Sequence, residues 1–148
     1  MRAVVQRVSR AEVRIEGLVV GKIARGYVVL LGVAGGDSDA DAAFMVDKIL
    51  GMRIFADDAG RMNLSLAQVD GAMLVVSQFT LIADTNSGRR PSFIKAAAPD
   101  EARRLYEHFL SLARTHDVKV ETGEFGATMD VELVNDGPVT IILDSRDR

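Results

Sequence analysis

The sequence predicts an α+β fold: mainly antiparallel β-sheets forming a barrel-like core, with two main helices. Three observations predict it. Apolar, β-branched runs of strand length recur along the chain, separated by glycine-bearing turns. Only two segments carry helical spacing. The strands follow one another in groups instead of alternating one for one with helices, the pattern of an α+β chain. The 148 residues contain no repeat, low-complexity tract or linker, so a single domain over residues 1–148 is expected.

Taken in order, residues 2–8 and 11–16 read as two strands, with Val and Ile interleaved with polar residues. Gly17 supplies a turn, and 18–23 is a third strand. Residues 27–33 are apolar almost without a break, as expected of a strand buried on both faces. Residues 37–50 read as the first helix. Ser38 or Asp39 caps it, acids fill its first turn, and Phe44, Met45, Lys48 and Ile49 keep helical spacing. A short strand at 53–56 precedes the turn Asp57-Asp58-Ala59-Gly60. Residues 73–82 form a strong strand candidate, and 85–91 a polar loop. The second helix runs from 99 to 116, opened by Pro99 or Asp100, with Ala102, Leu105, Tyr106, Phe109, Leu112 and Ala113 on one face. Strands at 118–122, 128–134 and 139–143 finish the chain. Asn135-Asp136-Gly137-Pro138 reads as the turn joining the last two.

Composition excludes several kinds of chemistry. The absence of cysteine removes disulfides, thiolate metal ligands and a cysteine nucleophile together. The longest apolar run, 27–34, is too short to span a bilayer, and the first residues lack the apolar core of a signal peptide. A cytoplasmic protein without membrane partners is expected. A net charge of −3 argues against binding nucleic acid by bulk electrostatics, so any RNA contact must be local. The acids from Asp37 start like a calcium loop, but Ala42 and Lys48 stand where Gly and Glu are needed. Gly32-Val33-Ala34-Gly35-Gly36 is neither a dinucleotide fingerprint nor a P-loop. His108 and His116 are too far apart for a helical metal pair, and no G-x-S-x-G elbow exists. No metal site and no cofactor are expected. A hydrolase built from this chain would draw on hydroxyls, backbone groups or the substrate itself.

Three segments stand out. They are Ser77-Gln78-Phe79-Thr80-Leu81, Gly88-Arg89-Arg90-Pro91-Ser92-Phe93, and Phe125-Gly126-Ala127-Thr128-Met129 running on to Asn135-Asp136-Gly137-Pro138-Val139-Thr140. Taken singly they have plain readings. Ser77, Gln78 and Thr80 suit a strand end with local hydrogen bonds, Phe79 a core position, and Asp136-Gly137 a hairpin. Together and in this order, with Val5-Gln6-Arg7-Val8 and residues 51–64, they closely resemble the D-aminoacyl-tRNA deacylase family over nearly the whole chain.

The resemblance implies an enzyme that hydrolyses the ester between a D-amino acid and the 3′ end of a tRNA. It implies a homodimer with the active site at the subunit interface, and the aminoacyl-tRNA 3′ end as partner. Ser77, Gln78, Phe79 and Thr80 match the catalytic segment. Gly137 and Pro138 match a cis dipeptide that enters the other subunit's site and rejects L-residues; Arg7 matches a residue that fixes it. Phe125, Gly126, Ala127 and Met129 match the pocket for the terminal adenosine. Removal of glycine from tRNA is a further implication, since glycine has no side chain to reject. Arg89, Arg90 and Lys95 fit phosphate contacts near the CCA end, and fit scattered surface charge almost as well. Two mechanisms stay open: Thr80 as an activated hydroxyl, or the free 2′-hydroxyl of the terminal ribose activating water while backbone N–H groups near Phe79 and Thr80 hold the oxyanion. The alternatives are a non-catalytic module for RNA ends and a dimeric interaction protein. An editing domain of some threonyl-tRNA synthetases is also similar.

Overall fold

The computed structural model describes residues 1–148. In chain order the elements are β1 (Arg2–Ile15), β2 (Leu18–Ile23), β3 (Gly26–Gly32), α1 (Asp39–Gly51), β4 (Phe55–Ala56), β5 (Met62–Leu64), β6 (Ala72–Ser77), α2 (Pro99–Ala113), β7 (Lys119–Thr122) and β8 (Asp130–Asp144). Single 3₁₀ turns occupy Ala67–Val69, Phe79–Ile82 and Ser145–Asp147.

The main sheet is mixed. β1 pairs antiparallel with β2, β3 and β8, whereas β3–β6 and β6–β7 are parallel. Parallel neighbours need a long crossover. The crossover from β3 to β6 carries α1, and that from β6 to β7 carries α2. Both helices therefore serve the parallel half of the sheet, while β4 and β5 form a small antiparallel ribbon of their own. β8 follows β1 along most of its length, and β2 and β3 share the remaining edge of β1. The sheet curls until β2 meets β7. A Cβ built on Gly21 would lie 2.3 Å from the Thr122 carbonyl oxygen, so glycine is what lets the two strands approach and nearly close a barrel.

Alternation along the strands builds two cores. From β3 and β6, Tyr27, Val29, Leu31, Met73 and Val75 face the helices and pack with Met45, Ile49, Leu105 and Phe109. Val28, Leu74 and Val76 face inward and pack with Val8, Val13 and Ile23 inside the barrel. This is the two-sided burial that the unbroken apolar run at 27–33 predicts. Truncating Phe109 or Leu105, both fully buried, to alanine would cost on the order of 2–5 kcal/mol. At the start of α1, Ser38 is the cap residue, and its backbone N–H donates to the Asp41 carboxylate at 2.8 Å.

Four boundaries differ from the sequence expectation. Residues 2–15 form one bent strand, because β8 bridges both halves. The strand expected at 73–82 ends at Ser77. Its partner β3 ends there too: Leu31 pairs with Ser77 and accepts a last bond from the Gln78 N–H at 2.8 Å, after which the chain turns as 3₁₀. α2 stops at Ala113, where the Thr115 hydroxyl donates to the Leu112 carbonyl at 2.7 Å and occupies it. Asn135–Pro138 is not a hairpin. Both halves of β8 pair with β1 and run in one direction, and the segment between bulges outward.

Candidate active site

One end of the barrel holds a cavity of about 520 Å³. The end of β6 delivers Val76 and Ser77 to it, the start of the following 3₁₀ turn Gln78 and Phe79, and the segment between β7 and β8 Phe125, Gly126, Ala127 and Met129. Ser77, Gln78 and Phe79 of the expected catalytic segment thus share one cavity with the expected adenosine segment, although about fifty residues separate them in the chain. None of the lining side chains is charged.

Local chemistry explains each wall. Gly126 adopts φ +79°, which a glycine takes without strain, and the Ala127 N–H closes the turn on the Glu124 carbonyl at 3.2 Å. A Cβ on Gly123 would lie 2.5 Å from the Met129 sulfur, so the bare glycine leaves Met129 its place. Phe125 packs on Tyr106, with centroids 5.7 Å apart. The buried Tyr106 hydroxyl donates to the Val75 carbonyl at 3.1 Å. Burial pushes the Tyr106 phenol up to about 12, so it stays protonated at neutral pH and is not a base.

The turn at Phe79–Ile82 forms the polar lip. Its internal bonds begin at the Leu81 N–H, which donates to Gln78, and the Ala83 N–H, which donates to Thr80. The N–H groups of Phe79 and Thr80 stand at the start of the turn, where a helix offers no acceptor of its own. The Thr80 side chain does not line the cavity; its hydroxyl accepts from the Gln78 amide nitrogen. An amide N–H is a donor and cannot take a proton from threonine. The turn rests on the end of β3, where a Cβ on Gly32 would meet the Gln78 carbonyl oxygen at 2.9 Å and Leu81 Cβ at 3.1 Å. Arg2 holds it from the side, donating to the Leu81 carbonyl at 3.0 Å while its other nitrogens bind Asp144.

Gly137, Pro138 and Arg7 lie outside this cavity's walls. The Gly137–Pro138 peptide is cis. Arg7 donates to the Asp136 carbonyl at 3.1 Å and to the Ile54 carbonyl at 2.6 Å, tying the bulge to the body. Asn135 braces it from within, accepting from the Val139 N–H and donating to Thr140, each at 3.0 Å. A Cβ on Gly137, at φ +129°, would lie 3.0 Å from an Arg7 nitrogen. Gly137 and Pro138 are exposed.

Sequence reasoning gave no role to Val33, Phe93, Ala96, Ala97, Pro99 and Ala102, which also line the cavity. Val33 follows β3, Pro99 and Ala102 belong to α2, and Phe93, Ala96 and Ala97 come from the segment joining the 3₁₀ turn to α2, pinned back by the Ala97 N–H on the Val33 carbonyl and by paired bonds between Asp84 and Ser92. Phe93 meets Phe79 edge to face at 5.0 Å. An aromatic residue in a polar, Arg-rich loop was the available signal. Lys95 is taken by Asp84 at 2.8 Å, and Arg89 and Arg90 are exposed outside the cavity. No three His, Asp or Glu side chains gather as metal ligands, and no helix is long and apolar enough to cross a membrane.

These features define an α+β near-barrel with an uncharged ligand cavity beside a polar turn. The same fold occurs in a solved structure described as a probable eukaryotic D-amino acid tRNA deacylase, with TM-score 0.81 at 19% identity, covering 96% of this chain and 97% of that one. Sequence narrows the class: a family model described as D-Tyr-tRNA(Tyr) deacylase matches residues 4–144, and the chain belongs to that family. The D-aminoacyl-tRNA deacylase of Dehalococcoides mccartyi is 61% identical over 148 residues, covering 100% of this chain and 97% of that protein. A solved structure described as c-Myc DNA Unwinding Element Binding Protein is 41% identical, with TM-score 0.92, covering 97% of this chain and 98% of that one.

Proposed function

We propose that the protein hydrolyses the ester of D-aminoacyl-tRNA, releasing the free D-amino acid and tRNA. The observation that carries this reading is the single cavity uniting Ser77, Gln78 and Phe79 with Phe125, Gly126, Ala127 and Met129. Its size and uncharged aromatic wall suit a stacked adenine. The polar lip beside it suits the ester attached to that nucleoside. Family membership supports the same substrate.

In this mechanism the 2′-hydroxyl of the terminal ribose polarises a water, which attacks the acyl carbon. The N–H groups of Phe79 and Thr80 hold the oxyanion that forms. Collapse breaks the acyl–oxygen bond, and the departing ribose oxygen takes the proton given up by water. Thr80 then needs no base, in keeping with the donor that its hydroxyl faces.

Chiral selection falls to Gly137 and Pro138 of a second copy. Their exposure outside their own cavity, with Arg7 and Asn135 bracing them, supports a role in a neighbour's site. Their carbonyl groups would face the α-carbon and exclude an L-side chain. Glycine, with no side chain, would be removed as well. Exposed Val131, Val134 and Ile142 on β8, with Phe79 and Ile94 near the cavity, support a homodimer whose active site lies at the interface. A cytoplasmic location follows from the tRNA substrate.

A second reading, a nucleic-acid binding module without turnover, is favoured by the name of the 41% identical structure. Incubating the protein with matched D-Tyr-tRNA and L-Tyr-tRNA separates the two. Loss of the D-ester with the L-ester spared is expected. Equal loss of both would remove the role of Gly137 and Pro138, and binding with loss of neither would leave the module.

A further inference from the structure

The apolar cavity leaves one requirement of a nucleotide chain unmet. Its lining side chains carry no charge, so a phosphodiester attached to the bound nucleoside finds no counter-ion among them. α2 brings a cation to the rim. Arg103 adjoins Ala102, which lines the cavity, and its guanidinium carbon sits 4.7 Å from the centroid of Phe125, which also lines it. Arg25 and Arg148 stack on Phe55 and Phe44, but neither of those rings borders the cavity. Two other cations nearby are already paired. Arg104 is held by Glu101 and Asp39, and Lys95 by Asp84. Arg103 is exposed, forms no ion pair and donates none of the protein's side-chain hydrogen bonds.

We propose that Arg103 is a phosphate-binding residue, stationed by Phe125 at the cavity rim to take the phosphodiester that joins the terminal nucleotide to its 5′ neighbour. This rests on the nucleotide-bearing substrate of the proposed function. The ring fixes the guanidinium by cation–π attraction and uses up none of its N–H donors, which are left for two phosphate oxygens. The same contact would tell a polynucleotide end from a free nucleoside ester.

The test measures equilibrium binding of deacylated tRNA to the full chain across a KCl series, for wild type, Arg103→Gln and Arg103→Lys. Neutralising one phosphate contributes about 0.7 to the slope of log affinity against log salt for single-stranded nucleic acid. Arg103→Gln is expected to weaken binding roughly fivefold at low salt and to reduce the slope by about 0.7, while Arg103→Lys keeps the slope. An unchanged slope in Arg103→Gln overturns the proposal. So does equal weakening in both variants without a slope change, which would mean that the side chain only packs Phe125. Absence of tRNA binding by the wild type also overturns it. Because the readout is binding, absence of ester hydrolysis with a normal salt response counts against the proposed function alone.

Discussion

Gly32 is the seat of the 3₁₀ turn that bears Phe79 and Thr80, and filling that seat tests the site directly. In Gly32→Ala the new methyl would lie 2.9 Å from the Gln78 carbonyl oxygen, 3.1 Å from Leu81 Cβ and 3.3 Å from Ile82 Cγ1. The first two contacts are backbone or backbone-proximal, so rotamer changes cannot relieve them. The turn must lift by about 0.3–0.5 Å to restore ordinary van der Waals spacing. Overpacking of this kind costs about 1–3 kcal/mol. For a group aimed at a developing oxyanion, a 1 Å displacement costs roughly a hundredfold in rate, so a lift of this size predicts a fall of about tenfold in kcat. Arg2 resists the movement through the Leu81 carbonyl, which localises the strain on the turn. Urea unfolding would read the stability change, and single-turnover deacylation of D-Tyr-tRNA the rate. A variant with wild-type stability and wild-type kcat would refute the reasoning, showing that neither the seating nor the position of the turn matters.

Arg7→Ala removes the hydrogen bonds to Asp136 and Ile54 and is expected to cost on the order of 2–3 kcal/mol. It should lower the ratio of D- to L-Tyr-tRNA hydrolysis at least tenfold, and an unchanged ratio would remove Arg7 from the selection. Thr80→Ala should keep kcat within about threefold, whereas a 2′-deoxy terminal adenosine should lose at least a hundredfold, measured by single turnover; the reverse pair would restore the threonine mechanism. Asp41 is held down to about 2: burial opposes ionisation, but hydrogen bonds from Ser145 and Ser38 and the nearby Met1 ammonium outweigh it. Its stabilisation is present above the ordinary value of 3.8 and is lost as pH falls from there through about 2. Asp41→Asn should flatten the acid limb of a stability–pH profile in that window, and a limb of unchanged steepness would count against the network.

What the sequence made legible followed from repeating physical patterns. Two-sided burial of β3 was visible in residues 27–33, and α2 in its apolar stripe. What it hid was the global pairing. Nothing local in residues 2–15 says that one strand will serve three partners. Nothing in Leu74 or Val75 says that β6 pairs in parallel; that follows from where α1 and α2 carry the chain. The end of β6 was masked because Phe79, Leu81 and Ile82 continue the apolar run, although only Ile82 is buried. Asp136-Gly137 has the composition of a reversal, and only the pairing of Thr140 with Gln6 shows that the strand goes on. At the site, the cavity wall at Phe125 and Met129 was marked by the resemblance of that segment, whereas the neutral companions Ala96, Ala97 and Ala102 carry no chemical signature that a chain alone could reveal.

The bulge in β8 interrupts a strand whose two flanks both pair with β1. Val134 pairs with Arg10 and Thr140 with Gln6, so six steps of β8 span four of β1, and between them only Asn135, opposite Val8, is paired. The segment is therefore insulated: its chemistry can change while the register on either side holds. Should Gly137 and Pro138 act as proposed, residues 136–138 would form a cassette whose side chains can be exchanged while the pairing of β8 with β1 is kept.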